Sequence, residues 1–129
     1  MQKVSSVLLR MRKEKIALVS DIQEMFLQVK MPVKDRYFHM FLYEDPETSK
    51  VHIYRFISHC FGNTASPCVA MFCIREMARE LAKSDPARYA RAAETVIMSS
   101  IMDDNVDSVA TFDEAKNLVL NLIDIYKRV

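Results

Sequence analysis

Two aspartates stand side by side in SSIMDDNVDS, at positions 103 and 104, and a third closes the run KIALVSD at position 21. Adjacent carboxylates repel, so a chain that keeps them together has a use for negative charge or for a turn. Asp-Asp-Asn between apolar segments is ordinary turn chemistry, because short polar side chains hydrogen-bond their own backbone. The alternative is a hard divalent cation. Oxygen donors without His or Cys suit Mg²⁺ or Mn²⁺ better than zinc. Two such ions bridged by carboxylates serve in-line displacement at phosphorus, one at the attacking oxygen and one at the leaving oxygen.

Position decides whether the three acids can act together. Neighbouring side chains on a regular strand point to opposite faces. Asp103 and Asp104 can therefore share a site only at a hairpin tip, where the alternation breaks. TVIMSSIM and NVDSVA, read as strands, put them at such a tip. KIALVSDI, a compact apolar run bounded by charge, reads as a strand buried on both faces, with Asp21 at its end. If that strand lies beside the later hairpin, Asp21 and Asp103 meet at one sheet edge.

The other elements follow from the same rules. Val4 to Arg12 has the helical period. EMFLQVKMPVKDRY is a turn and a short irregular or helical piece broken by Pro32. YFHMFLY and VHIYRFIS, separated by EDPETSK, make a hairpin with a longish loop. SPCVAMFCIREMARELAKS is a helix with Ser66 as N-cap and Pro67 at its first position, an Ala70, Ile74, Met77 and Leu81 stripe inside, and Arg75, Arg79 and Glu80 outside. SDPARYARAAE is a helical turn or short helix. TFDE opens the last helix with a capping box, Thr111 and Glu114, ahead of a stripe from Ala115 to Tyr126. This order predicts an α+β fold of ferredoxin-like, split-βαβ type, an antiparallel sheet with helices packed on one face. Residues 1–129 read as a single domain.

Composition narrows the function classes. Half the residues are hydrophobic and 27% are charged, with a net charge of +1, which argues against a free-standing nucleic-acid binder of strongly basic surface. Cys60, Cys68 and Cys73 form neither a CxxC pair nor an even framework, so buried thiols in a reducing compartment are expected. No apolar run approaches membrane-spanning length and the N-terminus lacks a secretory pattern. An intracellular place, cytoplasmic or nuclear, follows as the expectation, with no membrane partner. Average usage would supply about nine glycines, yet Gly62 is the only one, which marks a place where no β-carbon fits.

Three blocks, DIQEMFLQV, YRFISHCFGNTASPCVA and SIMDDNVDS, in that order and spacing, resemble the palm of a reverse transcriptase. The likeness is to the polymerases of BEL/Pao retrotransposons, elements that insert DNA copies of themselves, and it covers roughly Val7 to Lys127. It implies an RNA-directed DNA polymerase palm with fingers and thumb largely missing, which transfers a nucleotide from a dNTP to a primer 3′-hydroxyl with two Mg²⁺ or Mn²⁺ ions. By resemblance, Asp21, Asp103 and Asp104 are the catalytic and metal-binding residues. Asp103 is then the direct ligand, Asp104 the more peripheral partner, and the Ile22 carbonyl lies beside Asp21. Phe26 matches the aromatic steric gate that leaves no room for a 2′-hydroxyl; read alone, it is a core phenylalanine. Gly62, Ser66 and Pro67 match the block whose backbone approaches nucleotide and template. Implied partners are a primer-template of RNA and DNA, the dNTP, and either the missing segments or another protein.

The match has departures. Ile101 stands where such enzymes carry an aromatic residue near the primer end. With fingers and thumb absent, the isolated chain is expected to polymerise weakly or not at all. A second class of function is a non-catalytic, retroelement-derived module that binds protein or RNA, for which an exposed apolar patch would speak. A nucleotide cyclase-like palm also uses two strand-borne aspartates but has no role for FGNTASP.

Overall fold

Strand alternation organises this protein, whose computed structural model describes residues 3–129. Strand β5 (Asp104–Val109) is the centre of a three-stranded antiparallel sheet in the order β1-β5-β4, with β1 at Ile16–Asp21 and β4 at Ser100–Ile101. Along β5, Asn105, Asp107 and Val109 are buried on one side. Ile16 and Leu18 share that side across the ladder and pack partly against the core.

Three helices cover this side: α3 (Ser66–Ser84), α4 (Pro86–Met98) and α5 (Phe112–Tyr126). Small residues at their contacts, Ala70, Ala78, Ala92 and Ala93, let the helix axes approach closely. Val96 and Ile125 are among the largest fully enclosed side chains. α5 starts with the expected capping box, in which the Thr111 hydroxyl accepts from the Glu114 amide and the Glu114 carboxylate accepts from the Thr111 amide. α4 starts at Pro86, with the Asp85 carboxylate accepting from the Arg88 amide.

The opposite side of the sheet is mostly open. Helix α1 (Val4–Met11) covers one end of it, where Ser108 accepts from the Glu14 amide and donates to the Arg10 carbonyl. The rest, Ala17, Val19, Asp21 and Asp104, is exposed. Helix α2 (Met25–Gln28) follows β1, and strands β2 (Met40–Glu44) and β3 (Val51–Arg55) form a separate two-stranded ribbon.

The α+β class is borne out, with differences in detail. β2 and β3 do not join the main sheet, so the strands do not form the split-βαβ arrangement. Helices lie on both sides, since α1 sits opposite α3, α4 and α5. β1 is half-buried on one face only, with Val19 65% exposed, because nothing packs on its other face. The segment TVIM belongs to α4: Tyr89, Ala92, Ala93 and Val96 recur at helical spacing and bury together, which overrides the β-branched preference of Thr95, Val96 and Ile97. Ser66 is the first residue of α3, and Ala65 occupies the N-cap position.

A buried ionic network ties α4 to β5. The Asp107 carboxylate accepts from Arg91 at 2.9 Å, from the Thr95 hydroxyl at 2.7 Å and from the Ser108 amide at 2.9 Å. Burial alone would raise the Asp107 carboxyl, but the bonds from Arg91, Thr95 and Ser108 outweigh it and hold the group below its ordinary range. A depressed carboxyl contributes stability above its unfolded value near pH ~4 and loses it as pH falls through the folded value. Asp107→Asn is therefore expected to lower neutral-pH stability by roughly 1–3 kcal/mol. Urea unfolding at pH 7 and again below about pH 4 should show the deficit shrinking on the acid side.

Candidate active site

The ladder register brings the first and third sequence blocks together. Asp21 is the cross-strand partner of Asp104. The Ile22 amide donates to the Asp103 carbonyl at 3.0 Å, so Ile22 and Asp103 form a hydrogen-bonded pair. Asp21 and Asp104 then form the adjacent non-hydrogen-bonded pair, the kind whose side chains come closest. Both carboxylates lie on the open face, at the sheet's free end.

Asp103 lies in the adjoining turn. Ile101 pairs with Asp104, which leaves a two-residue loop of Met102 and Asp103. Met102 has φ 58°. That left-handed backbone costs a residue with a β-carbon about 1 kcal/mol or more. The expected tip at Asp103-Asp104 is thus shifted by one residue: the tip is Met102-Asp103, and Asp104 already belongs to β5. By register, Asp104 is the closer companion of Asp21.

Charge sets these acids apart. Asp107 and Asp124 are each held by arginines, Arg91 in one case and Arg88 with Arg128 in the other. Among the described residues, Asp21, Asp103 and Asp104 have no side-chain hydrogen bond or ion pair with the protein. Like charges opposite one another across a ladder are unfavourable, so this pairing is a standing cost to the fold. The donor set is all oxygen, which suits Mg²⁺ or Mn²⁺. Among the described residues no group of three or more His, Cys, Asp or Glu side chains is placed to hold a metal ion.

The second block joins through rings and the backbone. Phe26, half-buried in α2, meets Phe61 edge to face with ring centres 5.3 Å apart. Phe26 is thus both a core-facing ring and one wall beside the loop that follows β3. The His59 amide donates to the Val29 carbonyl at 2.9 Å and the Met31 amide to the Ile57 carbonyl at 2.9 Å, fixing this loop along the segment after α2. Ser66 is 1% exposed. Its hydroxyl donates to the Cys60 carbonyl at 2.9 Å, so it shapes the loop from inside and presents nothing to a ligand. Pro67 is partly exposed and shares a groove wall with Met102, which places the second and third blocks in one neighbourhood.

Gly62 corrects an expectation. A β-carbon there would meet nothing within 4 Å, so crowding is not what selects glycine. Its φ of +83° is, because side chains rarely adopt that backbone. Sequence reasoning also placed Arg75 outside, whereas its Nε and Nη2 are buried. Phe61 was not singled out, although its place one residue before Gly62 was the available signal.

Two stability measurements check this site. Asp104→Asn should raise stability by about 0.2–1 kcal/mol at neutral pH and low salt, with a smaller gain at high salt, by removing like-charge opposition. Gly62→Ala should cost about 1 kcal/mol through backbone strain alone. A neutral or destabilising Asp104→Asn would mean that the two carboxylates do not oppose each other.

No protein-family model and no curated protein matches this chain.

Proposed function

We propose that this chain is the palm of an RNA-directed DNA polymerase, which transfers a nucleotide from a dNTP to a primer 3′-hydroxyl. The observation that carries the reading is the Asp21–Asp104 cross-strand pair, with Asp103 one residue away in the turn. A like-charge pair at the open end of a sheet lowers stability, and a polymerase gives it a use. Two Mg²⁺ or Mn²⁺ ions held by Asp21, Asp103 and Asp104 would supply charge stabilisation for displacement at the α-phosphorus.

The chain's own residues set what enters. Phe26, braced by Phe61, stands beside the loop that contains Gly62, and a ring placed under the sugar would leave no room for a 2′-hydroxyl. Gly62 lets the backbone take the turn that leads into α3 without a side chain on its outer surface. Ser66, the first residue of α3, ties the preceding loop to the helix through its bond to the Cys60 carbonyl, and Pro67 follows it. Near-neutral charge agrees with a palm that relies on other segments or another protein to grip a primer-template.

One observation favours the second reading, a non-catalytic retroelement-derived module that binds protein or RNA. The β2–β3 ribbon and its flanks expose Phe38, Leu42 and Ile53 at 85%, 71% and 71%. Apolar exposure on this scale marks a docking surface. In a polymerase the same surface would receive the segments a palm lacks. Among the described residues no helix is long and apolar enough to cross a membrane.

Mn²⁺ titration followed by amide NMR separates the two readings. The catalytic reading expects saturable paramagnetic broadening centred on residues 20–22 and 103–105, weakened at least tenfold in Asp21→Asn. Broadening that is diffuse, or indifferent to that substitution, would remove the metal centre and leave the interaction module.

A further inference from the structure

The outer edge of β2 is a row of backbone groups that β3 does not satisfy. At the two ends of the ladder, the Phe56 amide donates to the His39 carbonyl at 3.0 Å and the Asp45 amide to the Lys50 carbonyl at 2.9 Å. Those pairs and the register between them fix the alternation, so that Phe41 bonds Tyr54 and Tyr43 bonds His52. Met40, Leu42 and Glu44 therefore turn their N–H and C=O groups away from β3. Every residue of both strands is exposed, and among the described residues no strand lies on that side of β2. The edge of β3 is less open, since the Met31 amide bonds the Ile57 carbonyl at 2.9 Å just past its end.

Native folds blunt such an edge with lysine, proline or a bulge, because an unpaired strand recruits others. Met40–Glu44 has none of these, and its one charge, Glu44, stands at its end. A two-stranded ribbon is also marginal by itself, and further strands stabilise it. We infer that two copies of this chain pair through β2, antiparallel about Leu42, into one four-stranded sheet. Charge selects a second copy as the partner. The ribbon is acidic at its turn, where Glu44, Asp45 and Glu47 outweigh Lys50, and basic at the other end, which Arg36 precedes and Arg55 closes. Among the described residues neither Glu44 nor Arg55 has an ion-pair partner in its own chain. A two-fold axis lays each acidic end beside the partner's basic end, whereas parallel pairing would set like beside like.

In this register Leu42 exchanges both backbone bonds with its own counterpart, and Met40 does so with the partner's Glu44. Phe41 then stands opposite the partner's Tyr43 in a non-hydrogen-bonded pair, where side chains come closest. Glu44 faces the partner's Met40 rather than a like charge, and the partner's Arg55 is next along that row. The contact uses the edge and leaves both faces of the ribbon open. It therefore stands whether or not the chain catalyses polymerisation.

Sedimentation velocity over a concentration series and amide hydrogen exchange test the pairing together. The chain should pass from monomer to dimer as concentration rises, and no further. Exchange at Met40, Leu42 and Glu44 should slow about tenfold or more in the dimer, because these amides face solvent in the monomer. Leu42 is 71% exposed, so the fold does not rest on it. Leu42→Lys sets two like charges face to face on the axis and should return the chain to monomer. Glu44→Lys and Arg55→Glu should each weaken the dimer several-fold, and the double reversal should restore it. A monomer at every concentration overturns the proposal, as does a dimer whose three amides exchange freely or that Leu42→Lys leaves intact. Growth beyond the dimer, or a double reversal no tighter than the single ones, overturns the two-fold register.

Discussion

The pairing of β1 with β5 is the constraint on which the site depends. Side chains alternate with a period of two, so a slip of one residue would turn Asp21 to the helix-covered face and leave Asp104 alone. The register is held from the buried side. Ile16 and Leu18 must face the helices, opposite Val109 and Asp107, and Asp107 is fixed to α4 through Arg91 and Thr95. A buried carboxylate with three donors tolerates one placement. The acids at the sheet's free end thus inherit their geometry from a network further down the same strand.

The two groups of carboxylates show opposite uses of the same chemistry. Asp107 and Asp124 are satisfied and serve the fold, one inside and one on the surface of α5. Among the described residues Asp21, Asp103 and Asp104 have no protein partner, and the Asp21–Asp104 opposition weakens the fold. Selection for stability alone would not keep a like-charge pair across a ladder, nor a left-handed methionine beside it. Both sit within the same few residues, where the proposed chemistry has need of them.

Much of this was legible in the sequence where a local rule had no competitor. The capping box of α5, the apolar stripe of α3 and the strand ending at Asp21 all follow from spacing. Convergence of Asp21 with the later hairpin was also legible, because a compact apolar run and a turn of acids constrain each other. Tertiary packing defeated the rest. Thr95, Val96 and Ile97 favour strands but extend α4, because an alanine-rich face ahead of them buries against α3. Whether β1 was covered on one face or two depends on where α1 lies, which no period reveals. Gly62 was read as crowded when only its backbone angle matters. Arg75 looked like a surface residue because helical spacing says nothing about what closes over a guanidinium.

The β2–β3 ribbon has no inside. Its register puts Phe41, Tyr43, His52 and Tyr54 on one face and Met40, Leu42, Ile53 and Arg55 on the other, and both faces are open to water. Rings stack along the first, as Phe41 does on Tyr54 with centres 5.9 Å apart, and the second is chiefly aliphatic. A flat companion could shelter only half of it. A partner that sheltered the whole ribbon would have to clasp it from two sides, with an aromatic-tolerant surface above and an oily one below.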